Sequence, residues 1–229
     1  MIRPSSPNHD ARPAGTPIDM LVLHYTGMRT MAAALQRLCD PAAEVSAHYL
    51  IDEDGTTYQL VDEAERAWHA GASCWRGNRA INARSIGIEL VNPGHEFGYR
   101  PFPEAQMDAL IRLAQVILAR HPIPPRNVVG HSDIAPSRKQ DPGELFDWPM
   151  LARHGIGLWP DTAAPENVAG ADRRSLLARW GYDVAEAASV TAAVVAFQRH
   201  FRPACCDGAA DSETLEKLLR LLRMVKEQA

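Results

Sequence analysis

Five side chains able to bind a metal, move a proton or hold an anion crowd into VVGHSDIAPSRKQDP: His131, Asp133, Arg138, Lys139 and Asp141. The stretch opens on a short apolar run that reads as a buried strand and continues into a polar loop. A loop at a strand end lets a rigid sheet hold ligands and charges close to solvent, so this segment reads as half of an active site. A second histidine, His24, follows another apolar run, residues 18–23. Two histidines at strand ends plus an aspartate match the donor set of an open zinc site, in which three protein ligands leave a fourth position free. Spacing alone does not choose between Asp133 and Asp141. In residues 85–92, SIGIELVN, the apolar Ile86, Ile88 and Leu90 alternate with Ser85, Gly87 and Glu89, so a strand carries Glu89 on its other face. On an exposed edge such a carboxylate is ordinary. Facing a pocket, it has its pKa raised by desolvation toward the range of a general base.

The elements that must position these groups follow from periodicity. Residues up to about 16 have none and read as an extended arm. Met31, Leu35 and Leu38 predict an amphipathic helix over 30–39, and residues 47–51 and 56–61 flank Asp54-Gly55 as a hairpin. His48, on that hairpin, reads as a hydrogen-bonded, partly buried histidine rather than a ligand. RAWHAGASCWRG, residues 66–77, sets Trp68, His69 and Trp75 among small residues; it suits a cleft loop that touches sugar or peptide, or a packed loop. The stripe Met107, Leu110, Ile111, Ala114, Ile117 and Leu118 predicts a helix over 103–121. Strands alternating with helices give an α/β domain, a mixed central sheet flanked by helices, over residues 1–165. After a Gly-, Pro- and Ala-rich linker, helical patterns at 173–180, 190–201 and 215–225, the last with Asp211 as candidate cap, predict a small three-helix domain over 166–229. At that size it is marginal alone.

Composition excludes several classes. With 229 residues, 46% of them hydrophobic, the chain reads as globular, and a net charge of −4 argues against binding a phosphate backbone. Cys39, Cys74, Cys205 and Cys206 form no CxxC pair and read as free thiols. MIRPSSPNHDARPAG lacks the pattern of a secretory leader, and no run is long and apolar enough to span a bilayer. A cytoplasmic monomer is expected, or a periplasmic one if a leader has been removed.

LVLHYTG, VSAHYLIDEDGTTYQL, RAWHAG, SIGIELVN and VVGHSDIAPSRKQDPG, in that order, together resemble the zinc-dependent N-acetylmuramoyl-L-alanine amidases, which share a fold with peptidoglycan recognition proteins. The resemblance covers roughly residues 7–159. It implies zinc ligands at His24, His131 and Asp141, a catalytic glutamate at Glu89 and a catalytic lysine at Lys139. His69 matches a cleft histidine expected to contact substrate, and Trp68 and Tyr25 stand beside it as substrate-binding candidates. Zinc would acidify water and polarise the scissile carbonyl, Glu89 would carry the proton from water to the leaving amine, and Lys139 would face the oxyanion. One departure stands out: relatives carry a tyrosine just before the position of His48, and this chain has Ala47. LLARWGYD, VVAFQRHFRP and DGAADSETLEKLL resemble the three-helix peptidoglycan-binding domain found beside many cell-wall hydrolases, with bracing of the catalytic domain slightly favoured here over binding of wall. The expected partner is therefore peptidoglycan, as fragments or polymer. The rivals are a non-catalytic peptidoglycan-binding protein and a zinc peptidase cutting within the stem peptide.

Overall fold

The computed structural model describes residues 1–160 and 167–227. Its strands are β1 (His9–Ala11), β2 (Met20–Tyr25), β3 (Tyr49–Ile51), β4 (Thr57–Gln59), β5 (Glu65–Ala67), β6 (Ser85–Leu90) and β7 (Val128–Gly130). The helices are α1 (Met31–Cys39), α2 (Ile81–Arg84), α3 (Gly94–Phe97), α4 (Glu104–Arg120), α5 (His131–Ile134), α6 (Trp148–Arg153), α7 (Arg173–Trp180), α8 (Ala187–Phe201) and α9 (Ser212–Glu227). Five strands form one sheet in the order β4-β3-β6-β2-β7, with β3, β6, β2 and β7 parallel and β4 antiparallel at the edge. This is the mixed, helix-flanked α/β sheet expected from sequence.

The alternation in each strand divides the sheet into two faces. Leu21, Leu23, Ile86, Ile88, Leu90 and Tyr49 pack on the α4 stripe of Met107, Leu110, Ile111, Ala114 and Ile117. On the opposite face Met20, Val22 and Val129 join one core with Leu177, Trp180, Phe197, Phe201 and Leu218 of the C-terminal helices. Those helices therefore bury their apolar sides against the sheet domain, which answers their small size. The expected boundary at 165/166 lies outside the described residues.

Local signals explain most element ends. Thr30 caps α1 by accepting from Ala33 N–H, and Gly55 takes φ +85° in the β3–β4 turn. Asp211 accepts from the Thr214 N–H at the start of α9. β2 runs to Tyr25 instead of stopping at Leu23, because its pairing with β6 continues through His24 and Tyr25. The N-terminal arm lies against the domain. β1 pairs with β5, and Arg12 donates to the carbonyls of Glu63, Asn82, Ala83 and Ser85 over 2.7–3.1 Å.

A polar knot fastens the C-terminal helices to β7 and α5. Asp133, 1% exposed, accepts from Gly130 N–H (2.8 Å), from His200 Nδ1 (2.7 Å) and from the Tyr182 hydroxyl (2.6 Å). The His200 ring also stacks on Trp148 at 3.7 Å. His200→Ala removes both the stack and a donor to a buried carboxylate, so it should lower unfolding free energy by about 3 kcal/mol, measured by urea denaturation. A loss below about 0.5 kcal/mol, the level of an ordinary surface substitution, would contradict this role.

Candidate active site

Three parallel strands deliver their chemistry at one end of the sheet. His24 on β2 is level with Glu89 on β6, and Leu23 is level with Gly130 on β7, which sets His131 beside His24. The carboxyl ends of parallel strands are where an open α/β sheet presents its site. Asp141 comes back to the same point because Ser132 N–H donates to its carbonyl at 2.9 Å and Tyr99 donates to the Pro142 carbonyl at 2.8 Å.

His24 Nδ1, His131 Nδ1 and Asp141 Oδ2 lie 3.0 Å from one another, and all three residues are buried. His131 Nε2 is 3.1 Å from the Ala70 carbonyl. A carbonyl only accepts, so the ring hydrogen sits on Nε2, and a neutral His131 turns a bare Nδ1 toward a carboxylate oxygen. Two electron-rich atoms at that distance repel unless a cation lies between them. The donor set of two imidazole nitrogens and one carboxylate oxygen therefore fits a divalent metal. Burial, with the neighbouring His131 adding to it, lowers the His24 pKa to about 4, which keeps it neutral as a ligand must be. Burial would raise Asp141, but the two imidazoles facing it hold its carboxyl well below the usual range.

Glu89 reaches the cleft beside this group, and its Oε2 is buried without a hydrogen-bond partner. Burial, reinforced by the Asp141 charge and opposed by that of Lys139, pushes its pKa up to about 8. A cleft of about 600 Å³ opens over the site, lined by Glu89, Lys139, His131, Asp141, Tyr25, Trp68 and His69. His24 is only 1% exposed and does not line it.

His69 faces two ways: its Nδ1 is 3.0 Å from His24 Nε2 and its Nε2 is 3.0 Å from Ser85 Oγ. Burial pushes the Tyr25 phenol up to about 12, and its hydroxyl meets His95 Nδ1 at 2.9 Å. Trp68 is half-buried at the rim, its backbone N–H donating to Ser46 Oγ. His48 is outside the metal-ligand group: its Nδ1 accepts from Gly87 N–H at 3.0 Å, so it serves the sheet. Arg138 donates to the carbonyls of Ala70 and Ala72 and ties the 66–77 loop to the ligand loop. Ala47 is fully buried, so no group extends into the cleft from that position.

Sequence reasoning missed two neighbours of this site. Ser85, fully buried, looked like one polar position in an alternating strand, and its place on the same strand face as Glu89 was the available signal. His95, on the cleft wall and 3.1 Å from Glu144, stood in no pattern. A second hollow of about 550 Å³ lies beside α4 and β4, where Glu63 is already engaged by Tyr49, Arg120 and His121.

Comparison with known proteins agrees with this geometry. Residues 14–144, which contain all the ligand and cleft candidates, match the family model described as N-acetylmuramoyl-L-alanine amidase. The N-acetylmuramoyl-L-alanine amidase AmiD of Escherichia coli is 45% identical over 86% of this chain and 79% of its own length. The structure of AmiD with anhydro-N-acetylmuramic acid-L-Ala-D-gamma-Glu-L-Lys superimposes with a TM-score of 0.81 at 43% identity, over 92% of this chain and 91% of that one. AMPDH3 of Pseudomonas aeruginosa, solved with anhydromuramic pentapeptide, gives 0.84 at 38% identity over 93% of this chain and 94% of that one. With the matched region spanning the whole site and the likeness to AmiD continuing beyond it, the chain belongs to the N-acetylmuramoyl-L-alanine amidase family.

Proposed function

We propose that this chain is a zinc hydrolase that cuts the amide between the lactyl group of N-acetylmuramic acid, ordinary or 1,6-anhydro, and the L-alanine of a peptidoglycan stem peptide. The observation that carries this reading is the meeting of His24 Nδ1, His131 Nδ1 and Asp141 Oδ2 beside the unpartnered Oε2 of Glu89. The ligands in AmiD and AMPDH3, both anhydromuramyl peptides, support the substrate class. Zinc held by the three ligands would supply Lewis-acid polarisation of the carbonyl and acidification of water.

The chain's own groups do the rest. Glu89 Oε2 takes a proton from the attacking water and returns it to the L-alanine nitrogen as the C–N bond breaks, giving a carboxylic acid and a free amine. Burial suits Glu89 to the second half, since a raised pKa strengthens its hold on the proton until the C–N bond breaks. Lys139 at the cleft faces the oxyanion with a positive charge, an effect worth about 3 kcal/mol by analogy with oxyanion-hole donors. Tyr25, Trp68 and His69 shape the walls that hold sugar and peptide. All of these groups belong to one chain, so a monomer suffices.

The C-terminal helices form a peptidoglycan-binding-like domain in this reading. A cytoplasmic location favours recycled anhydro fragments as substrate, whereas a wall-binding tail favours polymer. Incubation with each, followed by mass analysis of products, should show release of intact stem peptide bearing a free L-alanine amine; cuts between amino acids would favour a zinc peptidase instead.

Purified protein should carry about one zinc per chain, and His24→Ala and Asp141→Ala should lose both the metal and turnover. Active wild-type protein shown by elemental analysis to be metal-free would overturn the proposal. Glu89→Gln should keep zinc and lose about 10²–10⁴-fold in kcat. The same substitution has a signature in the chelated protein. Folded Glu89 holds its proton up to about pH 8, while the unfolded carboxyl releases it near the ordinary value of about 4.3. Folding stability is thus unaffected below that lower value and declines as pH rises between the two. Glu89→Gln should therefore raise the Tm of the chelated protein at pH 8 and leave it nearly unchanged at pH 4; an equal shift at both would contradict a desolvated Glu89.

A further inference from the structure

The hydrogen bonds behind His24 run in one direction only. Ser85 Oγ is 2.7 Å from the Ile81 carbonyl, which can only accept, so the serine hydrogen is committed there. Toward His69 Nε2, at 3.0 Å, the hydroxyl oxygen must then accept, which puts the His69 ring hydrogen on Nε2. A neutral His69 has a bare Nδ1, and that atom lies 3.0 Å from His24 Nε2. His24 Nε2 must donate to it. A neutral His24 has no second ring hydrogen, so its Nδ1 faces Asp141 Oδ2 and His131 Nδ1 bare. His24 must be neutral to act as a ligand, so it has one ring hydrogen to give, and that one goes to His69.

The fold also holds the His69 ring in place. Gly87 lies under it, and a Cβ added at Gly87 would stand 2.5 Å from His69 Cγ. The ring meets His24 edge to face, with centroids 5.1 Å apart and planes at 82°. At 8% exposed, His69 shows little of itself to the cleft. Its two polar atoms are both engaged by protein.

We propose that His69 and Ser85 are positioning residues, a relay running from the Ile81 carbonyl through Ser85 and His69 that fixes His24 as the Nε2–H tautomer and leaves its Nδ1 free for a divalent cation. The proposal rests on the metal reading above and gives His69 a role beyond substrate contact. A metal-binding histidine whose other nitrogen is so held keeps its orientation and basicity, and loss of such partners weakens metal binding by about 10–100-fold.

Two measurements on the full chain test it. Long-range ¹⁵N–¹H spectra of the chelated wild-type protein should show His24 and His69 both protonated at Nε2 and bare at Nδ1. Zinc affinity, read by competition with a chromophoric chelator, should fall about 10–100-fold in His69→Leu and in Ser85→Ala. His69→Asn, whose amide oxygen can stand in for Nδ1 and accept from His24, should stay within about 3-fold of wild type. A wild-type protein that binds zinc while folded His69→Leu binds it equally well would overturn the relay, as would a His24 protonated at Nδ1. Wild-type protein that binds no zinc would sink the metal reading instead, with the tautomer spectra still deciding the relay. Should His69→Leu fail to fold, those spectra decide it too.

Discussion

The structure is arranged around a contact that is unfavourable by itself: two imidazole nitrogens and a carboxylate oxygen facing one another at 3.0 Å in a buried site. Like-signed atoms at that distance hold together only if their supports are stiff or a cation lies among them. Here the supports are stiff. β2, β6 and β7 are hydrogen-bonded in one parallel register, so His24 and the start of the His131 turn cannot separate without breaking the sheet. The Ala70 carbonyl accepts from His131 Nε2 and from Arg138, which lies between His131 and Asp141 in sequence. The cleft loop bearing Trp68 and His69 is thereby tied to both halves of the ligand set. Metal donors and cleft wall form one rigid body, which is what a site held to within a fraction of an ångström requires.

The C-terminal helices contribute to that rigidity by two routes, both leaving from adjacent residues of α8. His200 reaches Asp133, two residues from the candidate ligand His131, and Asp133 in turn holds the Gly130 N–H. Arg199 pairs with Glu144 at 3.4 Å, Glu144 meets His95, and His95 meets the Tyr25 hydroxyl on the cleft wall. One helix is thus linked to the candidate ligand loop on one side and, through Glu144 and His95, to the rim of the cleft on the other. A module built only to hold polymer would need neither connection. The apolar core shared by Val22, Val129, Phe197 and Phe201 points the same way.

How much of this was legible depended on distance along the chain. Where a period of two or 3.6 repeats over six or more residues, as in β6 and α4, or an apolar run is unbroken, as in β2, the elements were readable and their ends missed by a residue or two. β1 and β5 are three residues each, too short to show a period, so the arm read only as extended chain. His131 read as a strand end; it opens a helical turn capped locally by Asp133, which accepts the Gly130 N–H three residues back. The candidate ligand and cleft residues could be proposed because five motifs recur in family order, whereas spacing alone left Asp133 and Asp141 equivalent. Their fates diverge for a reason no local pattern carries. Asp133 is claimed by His200 and Tyr182, which are 67 and 49 residues away in sequence, while Asp141 turns toward the histidines.

The strand β6 shows why alternation was informative about function as well as fold. Its apolar side, Ile86, Ile88 and Leu90, answers only to packing against α4, so volume-conserving exchange there is a question of fit. The other side answers to chemistry at every position. Ser85 needs a hydroxyl that can donate to Ile81 and accept from His69 in the same geometry. Gly87 needs the absence of a side chain, because an imidazole lies on it, while its backbone N–H serves His48. Glu89 needs a carboxylate level with His24. The pleat sets these three side by side at a spacing of two residues along one strand, so a hydroxyl, a bare glycine and a carboxylate reach the His24–His131–Asp141 group from one short run of sequence. A register slip of one residue would invert the faces, and the parallel pairing on both sides of β6 is what forbids it.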